Sequence, residues 1–210
     1  LKPKEKLTIS VFSYVTVPVL AGTQLFHVHE HVLVSSSRFL QNAMKPEWRT
    51  DTKPIDLSDE EPARFQAYCK WLYTKKIVAK AINDSHYLHF AHLYVLGAKL
   101  MDKTYQQDVL TAIIDHVESA KTFPSNFAVQ YIYGGTTTKD PAHRLMVDMW
   151  AFKLNEHWRY IQEDEDIVAD TTAEFANDVI RALVYRRNCP TGTPPWVNKP
   201  ESYLADIVDG

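Results

Sequence analysis

Phe26-His27-Val28-His29-Glu30-His31-Val32-Leu33-Val34-Ser35-Ser36-Ser37-Arg38-Phe39-Leu40 is the stretch on which the reading of the fold turns. A short alternating run, as in a strand, passes here directly into a helical pattern. Leu33, Ser36, Ser37 and Leu40 are spaced i, i+3, i+4, i+7 and share one helix face, with His29 one turn back. His31, Val34, Ser35 and Arg38 fall on the opposite face, where Val34 is the apolar outlier. The pattern predicts one helix running through Ala43 and Met44 and stopping at Pro46. The first face is expected to join the core, with His29 as the structural junction. The second face is the candidate partner or dimer face.

The histidines invite a metal reading. His27 and His29 lie i, i+2 on the expected strand and could share a face, but a zinc site needs a third and usually a fourth ligand. His31 comes after the turn into helix and points away from His29. The residues therefore favour a buried, hydrogen-bonded His29 at the junction, with His27 and His31 more exposed. His86, His89 and His92 recur every three residues on a later helix, with no cysteine or carboxylate clustered beside them. No cofactor is expected.

Upstream, residues 7–20 are β-branched and aromatic and read as one or two strands, with Pro18 expected at an edge or bulge. Ala21-Gly22-Thr23-Gln24 is a turn, so 15–29 forms a hairpin. Downstream, Ile55-Asp56-Leu57 is a short strand. Ser58 to Glu61 fits a capping box ahead of Pro62. The helix that follows carries Phe65, Tyr68, Cys69 and Leu72 on one face and ends near Thr74-Lys75-Lys76, after which Ile77 and Val78 could pair in a sheet. Asn83-Asp84-Ser85 caps another helix, apolar from Tyr87 to Leu100, in which Gly97 suggests close approach of a neighbouring backbone. Asp102 opens the next, with Tyr105, Val109, Ala112, Ile113 and His116 in register.

A boundary falls at 121–126, and the remainder reads as mainly helical. Phe127 to Tyr133 is apolar and ends at Gly134-Gly135. Asp140-Pro141 is an N-cap followed by a first-turn proline. Glu163 to Asp166 is an acidic loop without the ligand spacing of a calcium loop. Thr171 to Glu174 is a second capping box, followed by a stripe of Phe175, Val179, Leu183 and Val184. The tail from Cys189 is rich in proline.

Bulk composition narrows the function. The 210 residues are 45% apolar and 23% charged, enough for a core and against global disorder. A net charge of −3 with only short basic pairs gives no nucleic-acid footprint. No apolar run approaches the length of a membrane span, and the charged N-terminus does not resemble a signal peptide. Cys69 and Cys189 lie far apart and read as free thiols of a reducing compartment, the cytoplasm or nucleus. Cys69 sits on an apolar stripe, where a thiol acts as a small hydrophobe. No phosphate-binding glycine loop, nucleophile elbow or dinucleotide fingerprint occurs, so nothing argues for an enzyme.

Four motifs in order carry a resemblance. They are Phe26-x-Val28-His29-x-x-Val32-Leu33-x-x-Ser36-Ser37-x-Phe39-Leu40, then Ile55-x-Leu57, then Phe65-x-x-Tyr68-x-x-Trp71-Leu72-Tyr73-Thr74, then Leu93-Tyr94-Val95-Leu96-Gly97-x-Lys99-Leu100. Over roughly residues 10–120 they resemble the BTB/POZ domain, in the version common in filamentous fungi. Arg144 to Asp148 and Glu174-Phe175 more loosely resemble the helical extension of those proteins. The resemblance implies an α+β fold, a small sheet capped by helical hairpins, with a BTB/POZ domain over 7–122 and a helical C-terminal extension over 123–210. It implies a non-enzymatic protein-interaction module, forming a homodimer or heteromer through the segment from His31 to Leu40 and the N-terminal strands.

The alternative it raises is a substrate adaptor binding a cullin scaffold of a ubiquitin ligase. Members that bind cullins often carry a hydrophobic residue with an acid two positions on, before the Ile55 strand. Here Met44 precedes Pro46 and Trp48 precedes Thr50 at that spacing. The aspartate that organises many family dimers is replaced near Tyr14. A histidine metal-binding protein using His27 and His29 is the third reading.

Overall fold

The computed structural model describes residues 15–48, 53–78, 86–120, 122–153 and 171–186. Within them β1 (Thr16–Ala21) and β2 (Gln24–His29) form the hairpin, in antiparallel register from Thr16 opposite His29 to Ala21 opposite Gln24. Gly22 opens the two-residue turn at φ 54°, a left-handed position that glycine occupies without strain. Val17, Val19 and Ala21 alternate inward and are buried, the period of two that the sequence carries.

β3 (Ile55–Leu57) pairs parallel with Val19–Ala21, giving the order β2-β1-β3. Pro18 thus lies in the central strand, not at an edge. It is tolerated because Glu30 N–H donates to Val15 C=O, which sets odd residues of β1 toward β2 and turns Pro18 toward β3. Pairing with β3 begins only at Val19, so no ladder bond is lost at Pro18. The expected strand over residues 7–14 lies outside the described residues.

The helices are α1 (Glu30–Leu33), α2 (Arg38–Ala43), α3 (Pro62–Thr74), α4 (His86–Lys99), α5 (Lys103–Ala120), α6 (Asn126–Gly135), α7 (Pro141–Lys153) and α8 (Ala173–Arg186). In α3, Phe65, Tyr68, Trp71 and Leu72 are buried while Cys69 is half-buried. Pro62 is its first residue, but the capping box does not form. Glu61 is the N-cap but its side chain makes no capping bond, pairing instead with Arg64 at 3.1 Å, and Asp56 accepts from Ser58 N–H at 2.9 Å. α3 ends on Lys75, left-handed at φ 53°, whose ammonium sits 4.0 Å from the Trp71 ring centroid. Ile77 and Val78 join no sheet among the described residues.

α4 is central, packed against α3, α5 and α6. Close approach explains a glycine on α4 and one on its neighbour α6. A Cβ on Gly97 would lie 3.0 Å from the side chains of Tyr105 and Gln106, and one on Gly135 of α6 would lie 2.5 Å from Val95 Cγ1. Asp140 caps α7, accepting from Ala142 N–H at 2.9 Å and from the Tyr94 hydroxyl at 2.5 Å. At α8 it is Thr172, one residue later than expected, whose hydroxyl accepts from Phe175 N–H at 3.4 Å. Phe175 and Val179 are buried, whereas Leu183 and Val184 are exposed, so only the first half of the expected stripe is covered. One continuous core runs from Val17 to Val179. The cap expected at Asn83 to Ser85, the loop at Glu163 to Asp166 and the tail from Cys189 lie outside the described residues.

Candidate interaction surface

The predicted single helix from Glu30 to Met44 is two helices. α1 is one turn long, and Ser37 takes extended dihedrals, φ −78° and ψ 118°, before α2 begins. The three serines account for the break, because short hydroxyl side chains bond locally and compete with the helix ladder. Ser35 Oγ donates to Val32 C=O at 2.7 Å. Ser36 Oγ donates to Asp102 Oδ2 at 2.5 Å. Ser37 Oγ donates to Leu100 C=O at 2.6 Å and accepts from Leu40 N–H at 3.0 Å, capping α2. Gln41 Nε2 closes the turn on Val34 C=O at 2.8 Å.

The inner residues keep their places across the break, since Leu33, Ser37 and Leu40 are fully buried and Ser36 is half-buried. The four outer residues are spread over two elements and the turn between them. His31 on α1, Ser35 in the turn and Arg38 on α2 are exposed, and Val34, the C-cap of α1, is half-buried. Among the described residues the neighbouring strand β2 is an outer edge of the sheet, with Gln24, Leu25 and His27 exposed. Chain continuity sets this open edge beside the outer residues.

His29 is the last residue of β2 and the N-cap of α1. It is half-buried, not buried. Its ring Nδ1 lies 2.8 Å from the Tyr73 hydroxyl, which also accepts its backbone N–H at 3.1 Å. Tyr73 thereby ties the end of α3 to the strand–helix junction. His27 is exposed on β2, and the His31 ring is tilted 5.9 Å from that of His29. Among the described residues no three His, Cys, Asp or Glu side chains gather to hold a metal ion. His86, His89 and His92 diverge: His86 stacks on His116, His89 Nε2 lies 3.0 Å from Val78 C=O, and His92 is buried edge-on to Tyr131.

Asp102 is the residue that the sequence pattern understates. The helical register marks it only as an N-cap, a role it performs by accepting from Tyr105 N–H at 3.0 Å. It is also fully buried and accepts from Ser36 and, at 2.8 Å, from the Tyr68 hydroxyl. Burial first, and then the Asp102 charge, push the Tyr68 hydroxyl well above its ordinary pKa. Tyr68 thus stays a neutral donor. One carboxylate therefore fixes the serine turn, α3 and the α4–α5 connection relative to each other. Burial likewise pushes the Cys69 thiol up to about 12, where it is no nucleophile at neutral pH.

No helix among the described residues is long and apolar enough to cross a membrane. No curated protein matches the chain. Residues 10–108, however, match the family model of the BTB/POZ domain, a protein–protein interaction module, and that span holds the hairpin, the serine turn, β3, α3 and α4. A small three-stranded sheet against helices, entered through these four motifs in order, is the α+β architecture of that domain, and it is residues 10–108 of the chain that carry the match to BTB/POZ.

Proposed function

We propose that the chain is a non-enzymatic adaptor of the cytoplasm or nucleus that self-associates through the surface formed by β2, α1 and the start of α2. The observation that carries this reading is the edge that β2 leaves open among the described residues, running into the outward His31, Val34, Ser35 and Arg38. An unpaired strand edge is a template for a second chain, and exposed Leu25 on the strand and half-buried Val34 after α1 supply apolar area. The helices after residue 122 act as an extension that shapes the far side of the module. The loop after α2 lacks an acid at the spacing of cullin-binding members, so recruitment of a cullin scaffold is the less supported role.

Multi-angle light scattering on the purified chain tests the proposal. A dimer mass is expected at micromolar concentration, and Val34→Asp is expected to weaken association at least about tenfold, because it puts a charge into a desolvated contact. Circular dichroism of the same variant checks that the fold persists. A wild-type chain that stays monomeric at high micromolar concentration overturns self-association.

A further inference from the structure

A second surface lies on the other side of Arg38. A groove of about 560 Å³ runs between the family-matched part and the helices that follow it. One wall is the start of α2, the α4–α5 connection and the first turn of α5. The opposite wall is the end of α6.

Three features give this groove a recognisable chemistry. First, Arg38 and Lys103 line it and are both exposed, and neither makes an ion pair among the described residues. Lys99 is different: Asp59 and Glu60 hold its ammonium and outweigh the effect of burial, leaving its pKa raised. The lining carboxylate of Asp140 is engaged by Tyr94 and by the N-terminus of α7. Counted by side chain, the lining carries Arg38, Lys99 and Lys103 against the single carboxylate of Asp140, so its formal charge is positive.

Second, Gln106 lines the groove at 5% exposure, and its side-chain amide bonds to no group among the described residues. The amide is not sealed off from the groove, so a ligand there can reach it. Third, the Gly134 and Gly135 carbonyls on the opposite wall accept no backbone N–H among the described residues.

We propose that this groove docks an acidic, extended peptide segment of a protein partner. Arg38 and Lys103 take its carboxylates, Gln106 bonds its backbone amide, and the free carbonyls at the end of α6 accept its N–H groups. A simple anion would satisfy the first wall and be repelled by the carbonyls of the second. A peptide carries acceptors and donors together and satisfies both. Exposed Met101, at the rim and left-handed at φ 52°, offers an adaptable contact for an apolar side chain between the acids. This surface is separate from the self-association face except at Arg38, which borders both.

The test is a selection of random decapeptides displayed on phage against the full chain. Fluorescence anisotropy with one fluorescein-labelled selected peptide then follows, in wild type, Lys103→Glu, Gln106→Leu and Val34→Asp. Selected peptides are expected to be enriched in Asp and Glu. Their affinity is expected to fall at least about tenfold in Lys103→Glu and with added salt, to fall in Gln106→Leu, and to be unchanged in Val34→Asp. Peptides without acidic enrichment, or acidic peptides bound equally well by Lys103→Glu, overturn the proposal. Lys103 is exposed, so its substitution leaves folding intact, and light scattering on Lys103→Glu separates this failure from failure of self-association.

Discussion

Ser37 and Asp102 together hold the turn that the candidate face is built on. Ser37 is fully buried and uses its hydroxyl both as donor and as acceptor, so Ser37→Ala removes the shorter of the two bonds to Leu100 C=O, leaving only that from Phe39 N–H at 3.3 Å, and uncaps α2. The expected loss is about 1–2 kcal/mol, read as a shift in urea midpoint at constant slope. Asp102→Asn places an amide where two hydroxyls and a backbone N–H all donate, and should lose about 2–3 kcal/mol in the same assay. Cys69 gives an independent check on burial. With its thiol pushed up to about 12, iodoacetamide at pH 8 should label it at least about 100-fold more slowly in the native chain than in urea, by peptide mapping. Sequence pattern reached Ser37 as an inward residue and Asp102 as a helix start. It could not reach their meeting, because Ser36 and Asp102 are 66 positions apart and nothing in either periodicity links them. The same holds for His29 and Tyr73, 44 positions apart.

Elements were legible where one physical signal dominated. The hairpin follows from alternating β-branched residues around a glycine turn, and α3, α4 and α5 follow from long apolar stripes. Reading failed where a local competitor decided the outcome. The spacing of Leu33, Ser36, Ser37 and Leu40 fits one helix, yet the hydroxyls divert the backbone and two short helices result. At Ser58 the capping box lost to an Asx-type bond from Asp56, whose carboxyl the Ser58 bonds hold below its usual range. The packing of α6 on α4 is the element contact most open to a single test. Gly135→Ala brings a methyl 2.5 Å from Val95 Cγ1, and a β-branched side chain has few rotamers with which to yield. A loss of about 1–3 kcal/mol is expected, with earlier exposure of α6 and α7 amides in hydrogen exchange.

At the scale of the molecule, the family match ends at residue 108 but the core does not. Val129, Ile132, Met146, Trp150 and Phe175 belong to the same buried cluster as Val19 and Leu57. The sequence suggested a division at 122, from the boundary at 121–126 and from the resemblance, and a local boundary says nothing about which faces meet across it. A chain ending at residue 122 strips the cover from α4 where Ala128, Val129, Ile132 and Tyr133 pack. It is expected to unfold at lower temperature than the full chain and to aggregate, seen by calorimetry and light scattering.

Asp102 also imposes an order on biosynthesis. The hairpin and the serine turn leave the ribosome before their buried anchor, which lies more than sixty residues later. Until Leu100 to Tyr105 emerge, the Ser37 hydroxyl lacks the carbonyl it donates to and Ser36 lacks its carboxylate. The edge of β2, open among the described residues, is made before that anchor. Two nascent chains on neighbouring ribosomes would therefore meet through the same edge that the finished protein is proposed to use, so assembly would begin during translation.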